Sequence, residues 1–189
     1  MKVTALNGSP RKGGNTALLL GHVASELERE GIEVEIVHIA GAPLRGCTAC
    51  MKCRERKDGH CVIDDDIVND CIDKMVASDG ILLGSPTYFA DLTAEMKAMI
   101  DRAGFVARGN GHMFRRKVGA AVAVARRAGS IHALDSMNHF FLLSQMIVPG
   151  SSYWNMAVGQ AIGEVESDEE GIATMKTLGQ TMAWLLNRL

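Results

Sequence analysis

Glycines and hydrogen-bond donors are concentrated in the segment 6–16, Leu-Asn-Gly-Ser-Pro-Arg-Lys-Gly-Gly-Asn-Thr. Its three glycines let the backbone turn tightly and approach a ligand closely. A helix that begins near Asn15 would aim unpaired N–H groups and the positive end of its dipole at an anion. The side chains that add donors or positive charge are Ser9, Arg11, Lys12, Asn15 and Thr16. The segment therefore predicts a phosphate-binding loop.

Two other phosphate-binding motifs do not fit this segment. Gly8 and Gly13 have the separation of a P-loop, but Gly14 and Asn15 stand where that motif requires Lys and then Ser or Thr. The dinucleotide fingerprint Gly-x-Gly-x-x-Gly is also absent here. What remains is a monophosphate site with many neutral donors, which suits a mononucleotide. The alternative is an ordinary glycine-containing loop between a strand and a helix.

Four of the five cysteines lie within fifteen residues, at Cys47, Cys50, Cys53 and Cys61. Their spacing, C-x2-C-x2-C-x7-C, allows three thiolates from a short loop and a fourth from its return to surround one cuboidal iron–sulfur cluster. Zinc fits less well, because structural zinc sites more often use two separated C-x2-C pairs. A redox-active disulfide or free thiols remain as alternatives. Cys71 lies on the apolar face of a helix pattern and is interpreted as a core residue.

Length and composition limit the function classes. A chain of 189 residues with 47% hydrophobic residues can bury a substantial core. A net charge of −2 and the lack of a basic, aromatic-rich stretch argue against nucleic acid as a partner. No apolar run is long enough to span a bilayer. The apolar segment at residues 1–6 is too short for a signal peptide and is interpreted as a first strand. We expect a cytoplasmic protein that does not enter a membrane.

Hydrophobic periodicity predicts alternating strands and helices. Short apolar segments at 2–6, 32–39, 80–84 and 117–125 indicate strands, and the last strand is predicted at Gln145–Pro149. Segments with helical spacing follow each of the first four strands. The pattern predicts an α/β fold with five parallel strands, in a single domain 1–189 with a cysteine-rich loop at 40–63.

Ligands of such sheets bind beyond the carboxyl ends of the strands, where neighbouring connections leave to opposite faces. Three loops are expected to meet there, at 8–16, 85–91 and 125–130. Pro86 and Thr87 in the second loop are followed by Tyr88 and Phe89, whose flat rings suit a planar ring system. A phosphate-binding loop beside two aromatic residues predicts an FMN site, and simple packing on the sheet is the alternative for either ring.

These motifs resemble those of a known family. Gly-Ser-Pro-Arg-x-x-Gly-Asn-Thr is approximated by residues 8–16 with one extra glycine, and Ser-Pro-Thr-Tyr-Phe stands at 85–89. The chain is similar to the NADPH-dependent FMN reductases within the flavodoxin-like proteins, and its cysteine run resembles that of the iron–sulfur flavoproteins of anaerobic prokaryotes. The resemblance implies a flavodoxin-like three-layer sandwich with strand order 2-1-3-4-5.

The resemblance also implies roles for individual residues. Ser9, Arg11, Asn15 and Thr16 would hold the FMN phosphate. Pro86, Thr87, Tyr88 and Phe89 would border the isoalloxazine ring. The four clustered cysteines would hold a [4Fe–4S] cluster, although related flavin reductases with similar cysteine runs carry none.

The third loop departs from the family pattern, in which several glycines are common. The residues here that we assign to cofactor binding are Ala125, Arg126, Arg127, Gly129 and Ser130. The two arginines would stabilise an anionic reduced flavin or attract a nicotinamide dinucleotide phosphate. The alternative is that both face solvent.

The expected function is an FMN-dependent oxidoreductase or electron-transfer flavoprotein in which the cofactors carry out the redox chemistry and no side chain acts as a catalytic acid or base. NAD(P)H or a ferredoxin-like carrier would exchange electrons with it. The resemblance and a shallow FMN site suggest a homodimer or homotetramer. Two alternatives are a non-catalytic FMN carrier and a thiol- or zinc-based redox sensor on a flavodoxin-like scaffold.

Overall fold

Five parallel strands form one sheet in the computed structural model, which describes residues 1–189. The strand order β2-β1-β3-β4-β5 is the one predicted. Strands β3 and β4 are apolar and almost wholly buried, as expected of central parallel strands, whereas β2 at the edge is half exposed. The strands are β1 Lys2–Asn7, β2 Glu33–His38, β3 Gly80–Pro86, β4 Val118–Ala125 and β5 Met156–Val158.

Helices cover both faces of the sheet. One apolar cluster joins α1 and α6 to one face, and a second joins α3, α4 and α5 to the other. Helix α2 is a short helix inside the cysteine-rich loop, and a 3-10 turn at Glu164–Ser167 precedes α6. No helix combines the length and the apolar composition that a membrane crossing needs. The helices are α1 Asn15–Arg29, α2 Lys52–Arg56, α3 Val68–Ala77, α4 Ala94–Gly109, α5 Ser130–Leu143 and α6 Glu169–Leu186.

The position predicted for the last strand was wrong. The segment Gln145–Pro149 makes only one bridge to the sheet, between Ile147 and the start of β4 at Val118. Strand β5 instead pairs its Met156–Val158 with the end of β4. Pro149 has no N–H to donate and interrupts this edge, so the chain leaves the sheet after Ile147 and returns to it at Met156. The three-residue strand that results is too short to show a period in the sequence.

The order of the strands creates a crevice between β1 and β3. The connection after β1 passes through α1 on one face, and the connection after β3 passes through α4 on the other. The Gly8 N–H donates to the Gly84 carbonyl at 2.8 Å, which keeps the two strand ends together. This switch point is where open parallel sheets bind their ligands.

Candidate functional site

The amino end of α1 opens into this crevice. The helix begins at Asn15, and its N-cap, Gly14, has no side chain with which to bond the first N–H groups. Those groups have no partners within the helix, so they and the positive end of the dipole are free for an anion. Thr16 and Asn15 are nonetheless buried. The N-terminus of α1 therefore presents unpaired N–H groups to the crevice, an arrangement that favours an anion.

Hydrogen bonds fix the loop 8–14 that precedes α1. The Ser9 N–H donates to Oδ1 of Asn7 at 3.0 Å, the Arg11 N–H to Oγ of Ser9 at 3.2 Å, and the Gly14 N–H to the Arg11 carbonyl at 2.9 Å. His38, at the end of β2, bonds the Ser9 carbonyl through Nε2 at 2.7 Å. The loop is thus held in shape by bonds between its backbone and the side chains of Asn7, Ser9 and His38.

The loop after β3 is tied to the first loop and to β4. The Thr93 hydroxyl donates to the Gly8 carbonyl at 2.8 Å, and the Thr93 N–H donates to Oγ of Ser85 at 3.0 Å. The Thr87 N–H donates to the Val124 carbonyl at 2.6 Å. A Cβ atom on Gly8 would lie 3.2 Å from the Thr93 hydroxyl, so the close approach of the two loops needs glycine there.

A cleft of about 150 Å³ lies between these loops. Val124, Gly159 and Gln160 contribute to its wall, the last two from the loop after β5. Eight of the residues predicted to bind a cofactor also line it: Ser9, Arg11, Asn15, Thr16, Pro86, Thr87, Tyr88 and Arg126. The structure therefore brings together all three loops that the sequence placed at the carboxyl end of the sheet.

The other six predicted residues do not line this cleft: Lys12, Phe89, Ala125, Arg127, Gly129 and Ser130. Ser130 instead donates from Oγ to Sδ of Met156 at 3.0 Å, towards β5. Gly129 packs behind Thr87, because a Cβ atom on it would lie 3.1 Å from that side chain. The Phe89 ring is fully exposed, in a turn where Phe89 and Ala90 both have positive φ.

The Asn15 side chain, which lines the cleft, also bonds the loop after β5. Its Nδ2 donates to the Ala161 carbonyl at 2.9 Å, and its Oδ1 accepts from the Gly163 N–H at 2.8 Å. Both polar atoms of the amide therefore bond the loop after β5. A Cβ atom on Gly159 would lie 2.9 Å from Nδ2 of Asn15, so glycine is needed for this contact. The sequence prediction missed this fourth wall, and Gly159 and Gly163 were the only signals for it.

Thr87 has the one buried side-chain polar atom without a hydrogen-bond partner, its Oγ1. A buried hydroxyl of this kind costs about 1–3 kcal/mol. Thr87 is one of the residues that line the cleft, so a ligand whose polar group reached this hydroxyl would remove the cost. The orphaned hydroxyl is an observation of the structure itself that fits a polar ligand bound in the cleft.

Two arginines give the cleft positive charge. Arg11 lines it and donates from Nη1 to the Gln160 carbonyl at 3.2 Å, and Arg126 lines it from the β4 side. Neither guanidinium has a carboxylate within salt-bridge distance. Both charges are available to an anion.

The four clustered cysteines line one small cavity, about 20 Å³, whose other walls include Val62, Ile63, Phe105 and Val106. Its outer wall is the exposed segment 47–51. Burial raises the pKa of Cys53, and the neighbouring thiols of Cys61 and Cys47 raise it further. No three side chains in the structure are close enough to hold a single metal ion. Thiolates that bind one zinc ion tetrahedrally, each at about 2.3 Å, lie about 3.8 Å from one another. The cysteine sulfurs are not grouped in this way.

Side chains from α3 and α4 hold the cysteine loop. Asn69 accepts from the Cys61 N–H at 2.8 Å and donates to the Cys61 carbonyl at 3.0 Å. Asn110 accepts from the Gly59 N–H at 3.0 Å and donates to the Cys53 carbonyl at 3.1 Å. The sequence prediction missed both asparagines, since nothing in the sequence pairs them with a loop 8 to 57 residues away.

Cys71 is separate from this group. Its side chain is completely buried on α3, as the sequence predicted, and burial raises the pKa of its thiol to about 12. This thiol therefore stays protonated and serves as an apolar core residue.

The family model of the NADPH-dependent FMN reductases matches residues 1–161. The chain belongs to this family. Among its relatives, an iron–sulfur flavoprotein of Methanocaldococcus jannaschii is 38% identical over 190 residues, covering 97% of this chain and 96% of the relative. An iron–sulfur flavoprotein of Methanosarcina thermophila is 34% identical over 171 residues, covering 86% of this chain and 87% of the relative. The resemblance seen in the sequence is thus confirmed at the level of the family.

The fold also matches a solved flavodoxin structure. A flavodoxin from the domain Archaea superposes with a TM-score of 0.65 at 15% identity, covering 99% of both chains. At this identity the likeness concerns the fold alone. The flavodoxin-like architecture expected from the sequence is confirmed.

Proposed function

We propose that this protein is an FMN-dependent oxidoreductase that exchanges electrons between FMN in the cleft and an iron–sulfur cluster held by the cysteine loop. The observation that carries the proposal is the cleft itself, where the uncapped start of α1 and two unpaired arginines lie beside a buried hydroxyl that lacks a partner. Membership of an FMN reductase family supports the choice of flavin.

In this proposal the N–H groups at the start of α1 bind the FMN phosphate together with Ser9 and Arg11. Asn15 positions the loop after β5, and the Thr87 hydroxyl donates to a polar atom of the flavin. Bound FMN supplies the chemistry, since it accepts two electrons together and releases them singly. The cleft is smaller than the roughly 300–1,000 Å³ of pockets that bury most of a ligand, so part of the flavin would stay accessible to a redox partner.

Cys47, Cys50, Cys53 and Cys61 would hold the cluster. Their shared apolar cavity and the names of the relatives support this assignment. The thiolates of a cuboidal cluster bind separate iron atoms, so they need not converge on one point. A cavity of about 20 Å³ has room for about one water molecule, so the exposed segment 47–51 must move outward when a cluster is inserted.

The electron donor would be NAD(P)H or a ferredoxin-like carrier in the cytoplasm, and Arg126 in the cleft wall suits the phosphates of a dinucleotide. A homodimer or homotetramer would cover exposed apolar side chains such as Tyr88, which lines the cleft, and its chain neighbour Phe89.

One preparation tests both cofactors. Protein purified without oxygen is analysed for flavin, iron and zinc, and its visible spectrum is recorded. We expect one FMN and about four irons per chain. Zinc without iron would contradict the cluster, and protein that binds no FMN on reconstitution would contradict the whole proposal.

A pair of variants tests the phosphate site. Arg11→Ala removes a charged donor that lines the cleft, whereas Lys12→Ala removes the same charge from a neighbour that does not line it. A hydrogen bond to a charged group contributes about 1.5–3 kcal/mol, so we expect FMN to bind Arg11→Ala about ten- to a hundredfold more weakly. The affinity of Lys12→Ala for FMN, and of Arg11→Ala for riboflavin, which lacks the phosphate, should hardly change. Equal losses in both variants would contradict the assignment.

A measurement of steady-state turnover distinguishes an enzyme from a non-catalytic FMN carrier. Oxidation of NAD(P)H is measured with ferricyanide or a quinone as acceptor and compared with free FMN at the same concentration. A rate no higher than that of free FMN would contradict an NAD(P)H-linked enzyme. The oxidoreductase proposal would then depend on whether a reduced ferredoxin reduces the protein.

A further inference from the structure

Arg102 is a charged residue in the middle of α4 whose side chain has no exposure to solvent. Arginine is almost never fully buried unless it is paired. The guanidinium forms a salt bridge with the carboxylate of Asp66, which is also buried. Its Nη1 donates to the Arg45 carbonyl at 3.2 Å, and its Nη2 donates to the Ile63 carbonyl at 2.6 Å. One side chain therefore binds the segments on both sides of the cysteine loop.

Another donor of Arg102, the Nε–H, points at a cysteine. Its Nε lies 3.3 Å from Sγ of Cys61 and donates to it. No other cysteine sulfur accepts a hydrogen bond from a charged side chain. Asn69 also fixes the backbone of Cys61 on both sides, at the N–H and at the carbonyl. Cys61 is thus held in place in a way that the exposed Cys47 and Cys50 are not.

We propose that Arg102 is a positioning residue for the cluster, which fixes Cys61 as its anchoring ligand and raises the cluster's reduction potential through the hydrogen bond to Sγ. The inference rests on the proposed function, because it requires a cluster on the four cysteines. Hydrogen bonds to ligand sulfurs stabilise the reduced, more negative state and so raise the potential. The bond comes from a group that carries a fixed charge and is shielded from water.

The geometry explains why arginine stands here. Its planar fork reaches four partners at once, from Cys61 Sγ to the Asp66 carboxylate, whereas a lysine has three donors at one point and cannot span them. Asp66 balances the charge of Arg102, so the pair adds no net charge to the loop. Its effect on the cluster is therefore that of a directed hydrogen bond.

The charge balance allows a test that preserves the fold. Removing Arg102 alone would leave Asp66 buried and unpaired, which is strongly destabilising. The double variant Arg102→Met with Asp66→Leu replaces the pair by apolar residues of similar size, a change that is often neutral for stability. The contrasting variant is Asp66→Asn, which keeps Arg102 and its bond from Nε to Cys61, retains an amide oxygen as a partner for the guanidinium, and leaves the charge of Arg102 unbalanced.

Two readouts do not depend on turnover. The first is the cluster potential from a redox titration followed by electron paramagnetic resonance, and the second is the rate of iron release to a chelator. In the double variant we expect the one-electron reduction equilibrium to weaken about tenfold, a shift of about 59 mV to lower potential. Iron release should be about tenfold faster. In Asp66→Asn the potential should not fall, because the bond to Cys61 is kept and the positive charge of Arg102 is no longer balanced, and FMN content should be unchanged in both variants.

The outcomes separate the two proposals. Wild-type protein that takes up no iron would contradict the proposed function and the role of Arg102 together. Wild-type protein with a cluster whose potential is the same in the double variant would contradict the role of Arg102 alone. A fall in the potential of Asp66→Asn equal to that in the double variant would also overturn it, because a change in loop structure rather than the loss of the bond to Cys61 would then set the potential.

Discussion

The phosphate-binding loop and the cysteine loop are held by different means. In the loop that precedes α1, Ser9 is buried, and the loop is held by bonds among its own residues and by side chains at the ends of neighbouring strands, such as Asn7 and His38. In the cysteine loop, Cys47 and Cys50 are exposed, and the anchors are side chains of two helical segments, Asn69 on α3 and Asn110 directly after α4. The first loop is held close to the strand ends along its length, whereas the second is held at a few points and leaves 47–51 exposed.

This difference bears on how each site would be loaded. A preformed site binds its ligand with little loss of conformational entropy. A loop held at a few points can open while its anchors stay in place, which the proposed function would require for a cluster to enter a cavity of about 20 Å³. The comparison predicts that the two loops respond separately to substitution.

The largest effect is expected from Asn69→Ala, which removes two hydrogen bonds to Cys61. Two such bonds contribute about 2 kcal/mol, so amide exchange around Cys61 should become about thirtyfold faster. Hydrogen exchange read by mass spectrometry on peptides 59–66 and 8–16 measures this. The matched control is Asn138→Ala on α5, whose side chain makes no hydrogen bond. Faster exchange in peptide 8–16 as well would mean that the two loops are not independent.

A smaller effect, on the pH dependence of stability, is expected from Cys71→Val. This variant removes the buried thiol of α3 and leaves the four thiols of the cysteine loop unchanged. The pKa of Cys71 is raised from 9.0 to about 12, so on raising the pH the unfolded chain loses this proton first. The contribution of this thiol to the free energy of unfolding is fully present below pH 9 and is lost between pH 9 and 12. At pH 10 the loss is about 1.4 kcal/mol. Urea unfolding of the metal-free protein at pH 8 and pH 10 should show a decline smaller by this amount in the variant. Equal declines would mean that Cys71 ionises in the folded protein.

The smallest effect is expected from Thr87→Val. The variant removes a buried hydroxyl without a partner, so flavin-free protein should gain about 1 kcal/mol of unfolding free energy, while FMN should bind about fivefold more weakly. Urea unfolding and flavin titration measure the two quantities. Thr181→Val is the control, because its hydroxyl already donates to Thr177, and it should lose stability without changing FMN affinity. Unchanged FMN affinity in Thr87→Val would remove Thr87 from the proposed flavin contacts.

Local patterns predicted most of the fold. The start of α1 at Asn15, the buried strands β3 and β4 and the core position of Cys71 all follow from periodicity and turn chemistry within a few residues. The last strand was misplaced, because a three-residue strand depends on pairing with β4 and not on its own pattern.

The candidate site also contains features that the sequence predicted and features that it did not. Ser9, Arg11 and Thr16 line the cleft as the sequence indicated, and Asn15 lines it too while both polar atoms of its amide bond the loop after β5. The sequence could not show which of its donors the protein would use for itself. It also gave no sign that the Thr87 hydroxyl would lack a partner, since this depends on every element that surrounds it.

By itself the sequence determined the strand–helix alternation, the loop that precedes α1 and the spacing of the four cysteines, because each depends on neighbours in the chain. Only the tertiary structure decided what holds the cysteine loop. Arg102 lies 41 residues from Cys61 and 36 from Asp66, and folding alone brings them into contact. A buried charge is stable only with partners, and it is packing that selects those partners.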